Sequence, residues 1–168
     1  MNIRWLCATV LLAPVLASSP IAAQNKDIVG RVEKVRICPG DLVLSAKLDT
    51  GARNSSLHAP GITKFEKNGE AWVRFSLKDH RGKKATIERK LVRQATIKQK
   101  AADSEKRPVI MLGICMGRQY REVEVNLVDR ANFNYPILIG RSFMSGHFVV
   151  DPELKYTAEP ACVGAPLP

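Results

Sequence analysis

Aromatic side chains are scarce: Phe, Trp and Tyr make up 6% of the 168 residues. The Lys and Arg residues are spread along the chain rather than interleaved with aromatics, so the stacking platform of a single-strand nucleic-acid binder is missing and no nucleic-acid partner is expected. Histidine is scarcer still. His58, His80 and His147 are scattered, and neither Cys-x-x-Cys nor His-Glu-x-x-His occurs. The usual zinc-ligand spacings are therefore excluded. No glycine-rich loop runs into Lys-Ser or Lys-Thr, which removes a P-loop nucleotide site. Neither a metal nor a cofactor is expected. Helical periodicity is almost absent, no segment repeats another, and beyond the N-terminal stretch no apolar run approaches the length of a membrane helix.

That N-terminal stretch has one cation, Arg4, then the apolar run Trp5 to Leu16, then small residues ending in Ile21-Ala22-Ala23. This is the layout of a secretory signal peptide spanning residues 1–23. The alternative is a retained anchor, but the run is short for a membrane span. Cys7 opens the run rather than marking the cleavage point, which argues against a lipoprotein. Cleavage leaves residues 24–168, one domain of 145 residues able to bury a core, with no stable membrane insertion. A periplasmic or secreted location follows. The formal charge of +10 falls by one to +9 with the loss of Arg4. Such a balance favours acidic partners, unless it only aids solubility. Three cysteines remain, Cys38, Cys115 and Cys162; an oxidising compartment permits one disulfide and one leftover thiol, and all three pairings stay open.

Short alternating runs dominate the rest. Ile28 to Val35 reads as a strand, followed by the turn signal Cys38-Pro39-Gly40-Asp41. In Leu42 to Leu48, Leu42, Leu44, Ala46 and Leu48 share one face. Ala71 to Leu77 and Ala85 to Leu91 form a hairpin with a charged tip, either an ordinary hairpin or a flap over a cleft. Lys98 to Arg107 lacks an apolar period and reads as an exposed loop. Val109 to Ile114 and Arg121 to Leu127 are the next strands. Ile137 to Ile139 is another, ended by Gly140; Arg141 to Ser145 suits one helical turn. His147 to Val150 is the last strand, stopped by Asp151-Pro152, and the tail from Glu153 reads as loosely held. The domain core spans about 28–152. The class is all-β, a barrel or sandwich with at most one short helix.

Chemistry concentrates at Asp49-Thr50-Gly51. A carboxylate at the end of an amphipathic strand, followed by Thr and Gly, sits in a tight loop: Gly51 lets the backbone turn, and Thr50 offers a hydroxyl to brace it. Two such loops brought together place two carboxylates a few ångströms apart. Both cannot ionise, so they share one proton; one carboxylate then activates a water while the protonated one polarises a carbonyl. This chain has a single copy of the motif, so a dyad requires a homodimer.

The segment Leu48-Asp49-Thr50-Gly51-Ala52 with Ser55, Leu57, His58 and Ala59, then Tyr135-Pro136-Ile137-Leu138-Ile139-Gly140-Arg141-Ser142-Phe143 and Val150-Asp151-Pro152, resembles a bacterial family labelled an ATP-dependent zinc protease. Its members have a retropepsin-like fold and include the RimB-like peptidase that trims glutamate tails added by RimK-type ATP-grasp ligases. The resemblance covers roughly Val29 to Asp151. It implies a closed retropepsin-like barrel in which the Asp49 loop and the strand ending at Gly140 lie side by side. It implies that Asp49 is catalytic, that Thr50, Gly51, Ala52, Ser55, Ile139, Gly140 and Arg141 form or brace the site, and that the substrate is a peptide or protein. The zinc and ATP of the family's label find no support in the residues. Where retroviral-type enzymes tend to carry acidic residues after this motif, Arg53-Asn54 stands here; Arg53 and Asn54 are therefore candidate contacts to an acidic peptide, unless Arg53 is a solvated loop residue. An exported chain does not meet a cytoplasmic ribosomal protein, so a periplasmic or surface peptide fits better. The competing readings are a non-catalytic module binding peptide or cell wall on the same fold, and a basic adhesion or nucleic-acid protein.

Overall fold

The computed structural model describes residues 25–99 and 102–163, so the leader read over residues 1–23 lies outside the described residues. Eleven strands and one helical turn follow in chain order: β1 (Asp27–Cys38), β2 (Leu42–Leu48), β3 (Ser55–His58), β4 (Thr63–Lys67), β5 (Glu70–Lys78), β6 (Lys84–Lys90), β7 (Arg93–Gln99), β8 (Ala102–Met116), β9 (Gln119–Val128), β10 (Ile137–Ile139), α1 (Arg141–Met144) and β11 (Phe148–Lys155).

Six of these strands close a barrel in the order β1-β2-β10-β3-β9-β8, and β8 returns to β1 through Arg36↔Cys115, Ile37↔Ile114 and Cys38↔Gly113. Two joints are parallel, β2 with β10 and β3 with β9; the other four are antiparallel. Closure removes the free edges that an open sheet would present. The interior is filled by the period-two faces of these strands. Leu42, Leu44, Ala46 and Leu48 of β2 are all buried, facing Ile110, Leu112 and Ile114 of β8 and Val123, Val125 and Leu127 of β9 in one cluster. Each fully buried Leu or Ile contributes about 1.5–3 kcal/mol relative to exposure.

The β5–β6 hairpin sits where the alternation placed it, joined by β4 in a second sheet. Its apolar face packs into the barrel core. Val73, Phe75, Leu77 and Ile87 belong to the same core cluster, and Ala85 and Ile87 lie against Gly40 in the β1–β2 turn. Lys83 Nζ donates to the Asp41 carbonyl (2.8 Å) and carboxylate (3.0 Å) of that turn.

Three expectations are overturned. The supposed loop from Lys98 to Arg107 is the end of β7 and the start of β8, paired from Arg93↔Val109 to Gln99↔Ala102. Residues 93–97 and 104–107 are exposed or at most half-buried, so no strong apolar period marks them, and backbone pairing carries them instead. The last strand does not stop at Asp151-Pro152 but continues to Lys155. Pro152 is tolerated because β11 is an edge strand and its pairing with β1 bulges between Gly30↔Asp151 and Val32↔Lys155. The tail is not loosely held. Glu33 on β1 is fully buried, and its carboxylate accepts from Gly30 N (2.6 Å), Thr157 N (2.9 Å) and Thr157 Oγ1 (2.7 Å). Beyond it, Arg36 Nη2 donates to Pro160 O (3.1 Å), Ala161 N to Gly117 O (2.7 Å), and Cys162 is disulfide-bonded to Cys115. Cys38 is the leftover thiol, buried, with its pKa pushed up by burial.

Candidate active site

β2 ends at Leu48, and its parallel neighbour β10 ends beside it, with Ile139 opposite Leu48. The ladder runs one residue further, since Asp49 N donates to Ile139 O at 2.9 Å. The chain then turns tightly: Ala52 N donates back to Asp49 O (3.2 Å) and Gly51 N donates to Asp49 Oδ1 (2.9 Å). One carboxylate oxygen of Asp49 is thus fixed by the backbone, while the other oxygen of this half-buried side chain takes no hydrogen bond among the described residues.

The segment after β10 clasps this turn. Gly140 N donates to Oγ of the buried Ser55 (3.1 Å), Arg141 N to Ala52 O (2.9 Å) and Ser142 N to Arg53 O (2.9 Å). The Arg141 guanidinium reaches over the loop, Nη1 donating to Thr50 O (2.8 Å) and Gly51 O (2.9 Å). Gly140 permits the crossing: a Cβ there would lie 2.6 Å from the Asn54 carbonyl carbon and oxygen, which backbone cannot yield. Thr50 enters these bonds through its carbonyl, with its side chain exposed. Asp49, Thr50, Gly51, Ala52, Ser55, Ile139, Gly140 and Arg141 are therefore brought together. Arg53 and Asn54 contribute backbone here, and neither side chain lines the cleft beside Asp49. The charge of Arg53 acts instead on Glu124 of β9.

That cleft, about 470 Å³, is lined by Arg31, Lys47, Asp49, Arg130, Phe133 and Tyr135 among others. Sequence reasoning missed its cations. Lys47 is the exposed residue just before Leu48, and Arg31 the exposed residue opposite the β11 bulge, donating to Pro152 O. Arg130 is only 8% exposed. Its Nη1 donates to Ser56 Oγ (2.9 Å) and its Nε to Tyr135 O (3.2 Å), its guanidinium lies over the Phe133 ring at 4.3 Å, and its own N–H donates to His58 Nδ1 (2.9 Å). Burial, and next the charge of Arg107, hold its pKa below the ordinary arginine value, with Asp49 offsetting part of this. The available signal was a cation and an exposed Phe just ahead of Tyr135-Pro136.

Among the described residues no three His, Cys, Asp or Glu side chains gather as a metal-ligand set. With His58 Nδ1 occupied by a backbone N–H, the residues present do not fit a zinc centre.

A region of 146 residues, 84% of this chain, is 37% identical to a protein of Shewanella pealeana named "Probable alpha-L-glutamate ligase". A protein of the same name from Desulfotalea psychrophila is 30% identical over 115 residues, 67% of this chain. The chain spans about a third or less of these relatives, 31% and 25% of their lengths. Among solved structures, a Legionella pneumophila protein of unknown function superposes with a TM-score of 0.70 at 39% identity, covering 80% of this chain and 100% of that one. Residues 28–161 match the RimB-like family, described as "Retropepsin-like aspartic endopeptidase RimB", and the chain belongs to that family.

Proposed function

We propose that this protein is an aspartic peptidase that works outside the cytoplasm as a homodimer and cleaves acidic, glutamate-rich peptides. The observation that carries the reading is the Asp49 carboxylate, one oxygen fixed by Gly51 N and the other open, at the edge of a cationic cleft. The two carboxylates of a dimer would hold one proton between them. The ionised one takes a proton from water as the oxygen attacks the peptide carbonyl, and the protonated one donates to the carbonyl oxygen. Collapse of the tetrahedral intermediate passes a proton to the leaving nitrogen, without a covalent enzyme intermediate. The two apparent pKa values would belong to the pair.

Several features support the finer points. β11 is an edge strand, and its exposed Val149 pairs in register with the exposed Ile28 of β1, giving an apolar unpaired edge of the kind that recruits a second chain. Thr50 and Arg141 share a surface depression with Phe148 and Val150 of the same strand, so pairing there would bring two Asp49 loops together. The disulfide and the leader-like N-terminus favour an exported chain. The net charge, the cations of the cleft and the relatives' name, glutamate ligase, favour an acidic substrate; Arg53, exposed in the loop after Asp49, adds a cation outside the cleft.

The test is incubation of the mature protein with polyglutamate and mixed acidic peptides, wild type against Asp49→Asn, with sedimentation at the same concentration. Cleavage by a dimer, lost in Asp49→Asn without a change in melting temperature, is expected. A monomer that cleaves would sink the shared dyad. Binding without any cleavage would leave a peptide-binding module on the same fold.

A further inference from the structure

Arg130 is charged and buried. No Asp or Glu side chain forms an ion pair with it among the described residues, and its guanidinium donates to a serine hydroxyl and a backbone carbonyl. A guanidinium has five N–H donors. The two donors used here leave three, including both on Nη2, on a side chain of the Asp49 cleft's lining. A desolvated cation without a counter-ion is costly. The fold nevertheless holds this one still: Ser56, Tyr135 O and the Phe133 ring fix its plane, and its backbone is tied to His58. Arg107 adds like charge nearby, and Arg31 and Lys47 stand exposed on the same cleft. Against the single Asp49 carboxylate of the cleft, these cations leave a net attraction for an anion, and the planar fork selects one that accepts two parallel N–H bonds, as a carboxylate does.

We propose that Arg130 is the specificity-determining residue of the cleft, and that it binds the side-chain carboxylate of a glutamate or aspartate next to the scissile bond. Arg31 and Lys47 add long-range attraction and little selectivity, because exposed cations are screened. Arg53 does not perform this role, since its side chain does not line the cleft. The proposal rests on the peptidase reading of the same cleft for its bond-cleaving step, though not for its binding step.

The experiment uses two peptides identical except for Glu or Gln flanking the bond. Wild-type mature protein should favour the Glu peptide in kcat/KM on the order of 10- to 100-fold, the discrimination expected of a charge-assisted hydrogen bond. Arg130→Met should reduce that ratio to about threefold, the remainder that screened surface cations supply. A wild type that treats both peptides alike overturns the proposal, whatever the variant does; so does a folded Arg130→Met that keeps the wild-type ratio. Should Arg130→Met fail to fold by thermal melt, Arg130→Lys takes its place. It keeps the charge and loses the fork, so the ratio should drop several-fold, and an unaltered ratio refutes the role. Fluorescence anisotropy of the same labelled peptides separates the two readings. Tighter binding of the Glu peptide, lost in the Arg130 variant, with no cleavage at all would end the peptidase reading and leave the carboxylate subsite standing. Cleavage with no Glu preference would do the reverse.

Discussion

Two long strands each leave the barrel at their N-terminal end and, being antiparallel to one another, take a partner outside it in opposite directions, and they are secured differently. β1 pairs with β11 along Asp27 to Val32 before it joins the barrel, and β8 pairs with β7 along Ala102 to Val109 before it does the same. The β1 overhang is locked: Val29 and Val32 are buried, Glu33 gathers Gly30 and the tail around one carboxylate, and the tail continues to a disulfide on β8. Along the β8 overhang, residues 104–107 are half-buried or exposed, and the ion pairs on and beside it, Arg107–Glu105 and Arg93–Glu124, are surface pairs. The difference follows the cleft. β1 contributes Arg31 and Val32 to its wall, whereas among the described residues β8 contributes none. Rigidity is concentrated where a wall must keep its shape, as preorganised binding requires.

The sharpest way to break this comparison is to open the disulfide. The bond closes a sequence separation of 47 residues, for which chain-entropy reasoning gives about 4 kcal/mol. Cys162→Ala should therefore lower the melting temperature by well over ten degrees for a domain this size. A thiol reductant should produce the same loss in wild type and none in the variant. Equal melting of oxidised and reduced wild type would show that the tail is an ornament.

Next in size is Glu33→Ala, which strands Gly30 N and Thr157 N in a buried site and should cost roughly 3 kcal/mol in urea unfolding. Because Glu33 and Cys162 hold the same tail, the double variant should lose less than the sum of the single losses. Hydrogen exchange should show faster opening at residues 27–33 and 156–162, with the β7–β8 overhang unaffected. An overhang of β8 that exchanges as slowly as that of β1 would contradict the contrast itself.

How much of this was legible in the sequence depended on how far away each residue's partner lies. The alternation of Leu42, Leu44, Ala46 and Leu48 declares a strand by itself, and Asp49-Thr50-Gly51 a tight loop after it, because those signals are local; the crossing with Ile139-Gly140 came only from the family resemblance. β4 and β7 were not legible, since Thr63–Lys67 is exposed almost throughout and Arg93–Gln99 has no clear buried face; their strand state comes from β5 and β8. Pro152 misled because its permission to sit in a strand is a bulge opposite Val32, set by another segment. Glu33 read as one charge in an alternating strand, yet its acceptors are filled by Thr157, 124 positions later. Arg130 became a site residue only when Ser56 and Phe133 closed around it.

The smallest effect tests the weaker overhang. Arg93 forks onto Glu124, Nε to Oε1 at 3.2 Å and Nη2 to Oε2 at 2.5 Å, tying β7 to β9 across β8. This hydrogen bond holds the Glu124 carboxyl below its ordinary value of 4.5. A depressed carboxylate gives stability that is whole above the unfolded value and is lost as pH falls through the folded one. Both partners are substantially exposed, so the pair is worth a few tenths of a kcal/mol. Glu124→Gln should thus lie slightly below wild type at neutral pH, converge with it as the pH drops under 4.5, and lose even its neutral difference in concentrated salt. A gap of several kcal/mol, or one that persists at acid pH, would mean that the β8 overhang is bolted as firmly as the β1 overhang and that the cleft is not what distinguishes them.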